Sequence, residues 1–196
     1  MFCGTQFSIY PMSDDFVDVI LGSIGPLQHR DDIRVETDDL STLVVGTPNA
    51  VFTTVRDVYA EACRRGGHVV LSATFSRGCP GEPDDPMCVP EKPAEASASK
   101  AQLEVVAPLA IDVAAQYSLY PLGIPSYMDV IYREIAEAKK AACYDRGKNF
   151  CTRLKGDLSD VFAVFGRTFE SAARETGHVV LTATVSKGSP SQKQGG

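Results

Sequence analysis

An α+β unit written twice is the fold this sequence predicts, each copy with the order β-α-β-β-α-β and its helices on one face of an antiparallel sheet. Three observations predict it: an internal repeat, strand-like alternation at matched places, and two amphipathic helical stripes per copy. The repeat is plainest where the thirteen residues His68 to Pro80 return as His178 to Pro190, with nine identical. The same offset of 110 carries Gln6–Pro11 onto Gln116–Pro121, Thr42 onto Thr152, Gly46 onto Gly156, and Val51-Phe52 onto Val161-Phe162. One extra residue enters after the proline, so Phe16–Ile20 pairs with Tyr127–Ile131. Agreement on this scale marks a duplication.

Within the first copy, Thr5 to Met12 is a β-branched and aromatic run closed by a proline, which reads as a strand. Ser13 suits a helix N-cap, and Asp14 and Asp15 place negative charge where a first turn favours it. Phe16, Val19, Ile20 and Ile24 then recur at helical spacing. Asp32–Glu36 and Leu40–Val45 read as two strands around a polar turn at Thr37-Asp38-Asp39. Pro48 opens the next helix, whose stripe is Val51, Phe52, Val55, Val58, Tyr59 and Ala62, and Gly66-Gly67 ends it. Val69, Leu71, Ala73 and Phe75 alternate with Val70, Ser72, Thr74 and Ser76, a strand with one apolar face. The second copy repeats this order, with Val161, Phe162, Phe165, Phe169 and Ala172 as its second stripe. The order is ferredoxin-like. It divides the chain into a first repeat over 1–80, a linker over 81–108 rich in Pro, Glu, Asp, Ala and Ser, and a second repeat over 109–196.

Such a sheet has a second face. The last strand of each copy offers Ser72 and Thr74, or Thr182 and Thr184, to it. Small hydroxyl side chains suit packing against another sheet, in the chain or in a dimer mate, and they also suit direct contact with a polar ligand.

Composition narrows the function classes. A net charge of −6 disfavours a nucleic-acid partner, which needs clustered Lys and Arg. No apolar run approaches the ~20 residues that span a bilayer, so no membrane insertion is expected. The first ten residues do not read as a signal peptide. The six cysteines form no C-x-x-C pair; Cys63 falls on a predicted helix and Cys151 on a predicted strand, as small buried hydrophobes. A cytoplasmic, reduced setting is the simplest expectation.

Signatures of catalysis are sparse: no P-loop, no G-x-G-x-x-G after a strand, no H-E-x-x-H and no G-x-S-x-G. His68 and His178 are repeat equivalents at helix-to-strand junctions, where capping of the preceding helix is expected. Cys79 and Cys88 with a histidine fit no tetrahedral metal spacing. Asp14 and Asp15 read as helix-start residues, and Asp18 and Asp129 as solvated helical positions. The duplication keeps Ser8 with Ser118, Tyr10 with Tyr120, Pro11 with Pro121, and Thr42 with Thr152. Polar residues retained on neighbouring strands suggest a paired small-molecule site, one per half, although Ser and Thr also simply fill a pleated surface.

At these residues the chain resembles the YkoF family. The resemblance is carried by Phe7 to Phe16, Asp39 to Thr42, Thr74 to Gly81, Tyr117 to Pro121 and Asp160 to Phe162, and it covers nearly the whole chain. The runs Tyr10 to Phe16 and Gly78 to Gly81 are its most specific strings. The resemblance implies two ferredoxin-like (ACT-like) halves, a homodimer, and non-catalytic binding of thiamine or its hydroxymethylpyrimidine moiety as ligand, with no separate cofactor. It also implies a link to an ABC-type (energy-coupling) vitamin-precursor transporter. It carries ligand contact to Ile9 with Thr42 and to Leu119 with Thr152, with Ser8, Tyr10, Ser118 and Tyr120 flanking them. An aminopyrimidine presents alternating donors and acceptors, which strand backbone and a threonine hydroxyl can meet. The halves differ, since Ser41 becomes Cys151, and Ser13-Asp14-Asp15 becomes Gly123-Ile124-Pro125-Ser126, so unequal affinities are expected. The competing expectation is an enzyme acting on a pyrimidine or thiamine-related metabolite, with Cys79 or Asp15 as the reacting group.

Overall fold

The alternation of the first strand decides which way it faces. Cys3, Thr5, Phe7 and Ile9 are buried, while Gln6 and Tyr10 are exposed, as a half-covered strand requires. The structure is a computed structural model that describes residues 3–78 and 107–191. Cys79, Cys88 and nearly all of the expected linker lie outside those residues.

The first half runs β1 (Cys3–Pro11), α1 (Phe16–Ile24), a 3-10 turn (Gly25–His29), β2 (Ile33–Thr37), β3 (Thr42–Gly46), α2 (Pro48–Arg65) and β4 (Val69–Arg77). The second runs β5 (Asp112–Leu122), α3 (Tyr127–Ala138), β6 (Tyr144–Gly147), β7 (Thr152–Asp157), α4 (Leu158–Ala172) and β8 (His178–Lys187). These are two tandem ferredoxin-like repeats. Helix α2 starts where Thr47 accepts the Ala50 amide and Pro48 fits the first turn, and it stops at Gly66. All six residues of its predicted stripe are buried.

The two halves form one antiparallel sheet with the order β2-β3-β1-β4-β8-β5-β7-β6. Edge strand β4 lies against edge strand β8 from Val69↔Lys187 to Arg77↔Val179. At the midpoint Ala73 faces Ala183, its own repeat equivalent. A local twofold axis therefore passes between those two alanines. Within the chain the two sheets meet edge to edge and do not stack face to face. The physical reason is that an unpaired edge leaves a row of N–H and C=O groups, and each half supplies the strand the other needs. The open face keeps Ser72, Thr74 and Thr184 exposed and Thr182 half-buried.

The helical face is one continuous core. Phe52 of α2 stacks on Phe75 of β4 with centroids 4.2 Å apart, and meets Phe169 of α4 edge-on at 5.5 Å. The Tyr59 hydroxyl lies 2.9 Å from the Val69 carbonyl oxygen and 3.2 Å from that of Val185, so it donates across the β4–β8 seam. Burial pushes its pKa up. Seam glycines are reciprocal too. Gly78 (φ 82°) has room only for a hydrogen, because a Cβ there would sit 1.9 Å from the Gly177 carbonyl oxygen. Gly188 (φ 73°) would place one 2.2 Å from that of Gly67.

Several local expectations are corrected. Ser13 does not cap α1; Asp15 occupies that position without a side-chain cap, and its carbonyl accepts the Val19 amide. In α1 Val19 and Ser23 are buried and Ile24 packs partly buried against the core, while Phe16 is exposed. His68 does not cap α2 but lies 3.3 Å from Ser186 Oγ. The α2 C-terminus is instead capped by Lys187, whose ammonium donates to the carbonyls of Cys63 and Gly66 at 2.9 Å each, a cation where the helix dipole is negative. Cys151 sits one residue before β7, half-buried, with Sγ 3.7 Å from Gln116 Oε1.

Candidate functional site

Helix α3 is amphipathic, and its inward positions are Val130, Glu134 and Ala138, each one turn apart. Between this helix, strand β5 and the turn from β6 to β7 lies a cavity of about 640 Å³, within the size range of small-molecule sites. Leu119, Thr152, Ser118 and Tyr120, the four second-half residues singled out above, all line it. Leu119 and Thr152 are buried at 8% and 4% exposure. They come together because Tyr117 pairs with Thr152 across β5 and β7, two residues from Leu119.

Ser118 performs a structural task at the mouth. Its Oγ donates to the Phe150 carbonyl at 2.8 Å, and in the first half Ser8 Oγ donates to the Leu40 carbonyl at 2.7 Å. Each serine fastens a hairpin turn to the central strand. Each clasp holds out one apolar side chain, Leu40 or Phe150, the latter 90% exposed and part of the cavity wall. Tyr10 and Tyr120 are half-exposed repeat partners.

The first half holds Ile9 and Thr42 in the matching places, both buried. Their surroundings differ from those of Leu119 and Thr152. The Thr42 hydroxyl lies 3.1 Å from that of Thr37, and Gly147 offers no such group to Thr152. Where the first half has Phe7, Val58 and Ser23, the second has Tyr117, Thr168 and Glu134. The Tyr117 hydroxyl is buried beside Thr168 and Thr152 yet meets no partner at hydrogen-bond geometry among the described residues. Burial raises its pKa, and the Glu134 charge adds to the shift. Glu134, 3% exposed, accepts from Ser171 Oγ at 2.8 Å and Arg133 Nε at 3.2 Å, both on Oε1. Its Oε2 has no protein partner among the described residues. Ser23, its counterpart, turns back to donate to the Val19 carbonyl at 2.6 Å.

The cavity is thus an apolar slot with a buried carboxylate and hydroxyls inside. At the rim Lys148 donates to Gln116 Oε1 at 2.9 Å. Burial pushes the Cys3 thiol up to about 12 and Cys63 up to about 11, and raises Cys143, which disfavours the thiolate at these three cysteines. Asp15 is exposed on α1. Of the residues singled out from the sequence, Leu119, Thr152, Ser118 and Tyr120 lie on this cavity; Tyr117 and Glu134, which also line it, were not singled out, nor was Thr168 beside them. The available signal was the set of positions where the repeats disagree, with a polar residue replacing an apolar or smaller one at an inward position.

A model of the YKOF-related family matches residues 2–82 and 112–192. The chain is also 32% identical over 192 residues to a Bacillus subtilis (strain 168) protein provisionally named HMP/thiamine-binding protein YkoF, covering 97% of this chain and 92% of that one.

Proposed function

Because the chain belongs to the YKOF-related family, we propose that it is a non-catalytic binding protein for thiamine and its hydroxymethylpyrimidine moiety, with one site per repeat. The carrying observation is the second-half cavity, whose walls bring together Leu119 and Thr152 without contact being required from any distant element. A pyrimidine ring is flat, apolar on its faces and polar at its edge. Leu119 suits the face, and the Thr152 hydroxyl with strand backbone suits the edge. Ile9 and Thr42 form the equivalent pair in the first half. A thiazolium, where present, is a cation that the aromatic rims and the acidic protein favour.

The open sheet face, with Tyr10, Tyr120 and the seam hydroxyls, is the surface we assign to a homodimer. No described helix is long and apolar enough to cross a membrane. A cytoplasmic role beside an energy-coupling ABC-type transporter, carrying or buffering the vitamin or its precursor, fits a binder of this kind.

Calorimetry with thiamine on the full chain tests the reading. Two binding steps of unequal affinity are expected, and Thr42→Ala with Thr152→Ala weakens both by roughly tenfold, the loss of a hydrogen bond buried against the ligand. Unaltered binding by the double variant removes the site assignment. Turnover of thiamine or hydroxymethylpyrimidine by the pure protein removes the non-catalytic reading.

A further inference from the structure

A buried carboxylate is unusual unless something meets it. Glu134 is buried, and its Oε1 is occupied by Ser171 and Arg133 while Oε2 has no partner among the described residues. Arg133 is itself shared, since it also reaches Glu175 at 3.2 Å. Beside this carboxylate stands a second unfinished group, the Tyr117 hydroxyl, 96% buried with its residue and unpartnered. Both residues line the same cavity. Lys148, the other charged lining residue, does not complete the pair, since it is engaged with Gln116 at the rim. The first half has none of this. Ser23 satisfies itself on its own helix, Phe7 carries no hydroxyl, and Glu61, the counterpart of Ser171, is tied to Arg65 at 2.8 Å.

We propose that Glu134, with the Tyr117 hydroxyl, makes the second-half cavity selective for a flat nitrogen heterocycle carrying an N–H donor, and that the first half lacks this selectivity. The donor is an exocyclic amine or a protonated ring nitrogen, which Glu134 Oε2 accepts. The Tyr117 hydroxyl donates to a neighbouring ring nitrogen. An anionic substituent directed at this end of the slot is repelled. The inference rests on the binding reading above and adds to it the residue that reads the ligand edge. Hydrogen bonds to a buried charged group discriminate strongly, because the analogue without the donor leaves Oε2 unmet.

The test is calorimetry on the full chain with two probes: hydroxymethylpyrimidine, and the same ring with its amine replaced by a carbonyl oxygen. In the wild type, one of two binding steps is expected to weaken tenfold or more for the second probe. Glu134→Gln keeps shape and removes charge; it should weaken that same step about tenfold for the amine and erase its preference, leaving the other step alone. Glu134→Ser, which installs the first-half residue, should act likewise, and Tyr117→Phe should give a smaller loss. A Glu134→Gln protein that is folded by circular dichroism, with both steps and the amine preference intact, overturns the role of Glu134 and spares the binder reading. Equal weakening of both steps also overturns it, as an effect of the whole fold. Wild-type protein that binds neither probe nor thiamine overturns both readings together.

Discussion

Asp157 shows how much a single side chain can organise. Its carboxylate accepts the Ser159 amide at 2.8 Å as the cap of α4, and the amides of Leu109 at 3.1 Å and Ile111 at 3.2 Å, which set the approach to β5. Burial alone would raise its pKa, but the backbone amides of Ser159, Leu109 and Ile111 outweigh burial and hold the carboxyl below its ordinary value. A group depressed in the folded state adds stability above its unfolded pKa, and loses it as pH falls through the folded one. Asp157→Ala should therefore cost about 1 kcal/mol or more near neutrality, with the gap to wild type closing in acid. Urea titrations at neutral and acidic pH check this, and a gap independent of pH would contradict it. Glu134 poses the opposite lesson for sequence reading. Its helix carries acids on several sides, so one inward carboxylate looks like another solvated charge until α4 and β5 are packed around it.

Among the elements, the strands were the most legible. Alternation at Val69 to Ser76 and its copy follows from one covered face, and burial in β4 and β8 obeys it residue by residue. Helix starts were less so: Ser13 has good capping chemistry, but the turn at 13–15 leaves Asp15 as the boundary residue. The cap on α2 could not be read locally, because Lys187 comes from the last strand of the other half. Nor could the joining of the sheets, since edge pairing uses backbone groups that every residue carries. The seam glycines give that joining a sharp test. Gly78→Ala and Gly188→Ala should each destabilise by more than ~1 kcal/mol, because a left-handed φ and a facing carbonyl oxygen both oppose a methyl group. Gly67→Ala and Gly177→Ala, where a Cβ meets nothing within 4 Å, serve as comparison. Thermal melts of the four variants decide it, and equal midpoints would refute the account.

At the scale of the molecule, Phe52 belongs to both halves through Phe75 and Phe169, and the core is one cluster. Unfolding should thus be a single transition, with amides of β1 and β5 losing protection from hydrogen exchange together. Phe52→Ala should lower stability by about 3–5 kcal/mol while leaving that transition single. Separate transitions for the halves would show that the seam does not couple them. The axis through Ala73 and Ala183 has a further consequence for descent. A symmetric pair of separate one-repeat chains receives every mutation twice, so neither pocket can drift without its twin. Covalent linkage into one gene releases that lock. A carboxylate can then stand at 134 while 23 is a serine, so the inward side chains of the two halves are free to change one at a time.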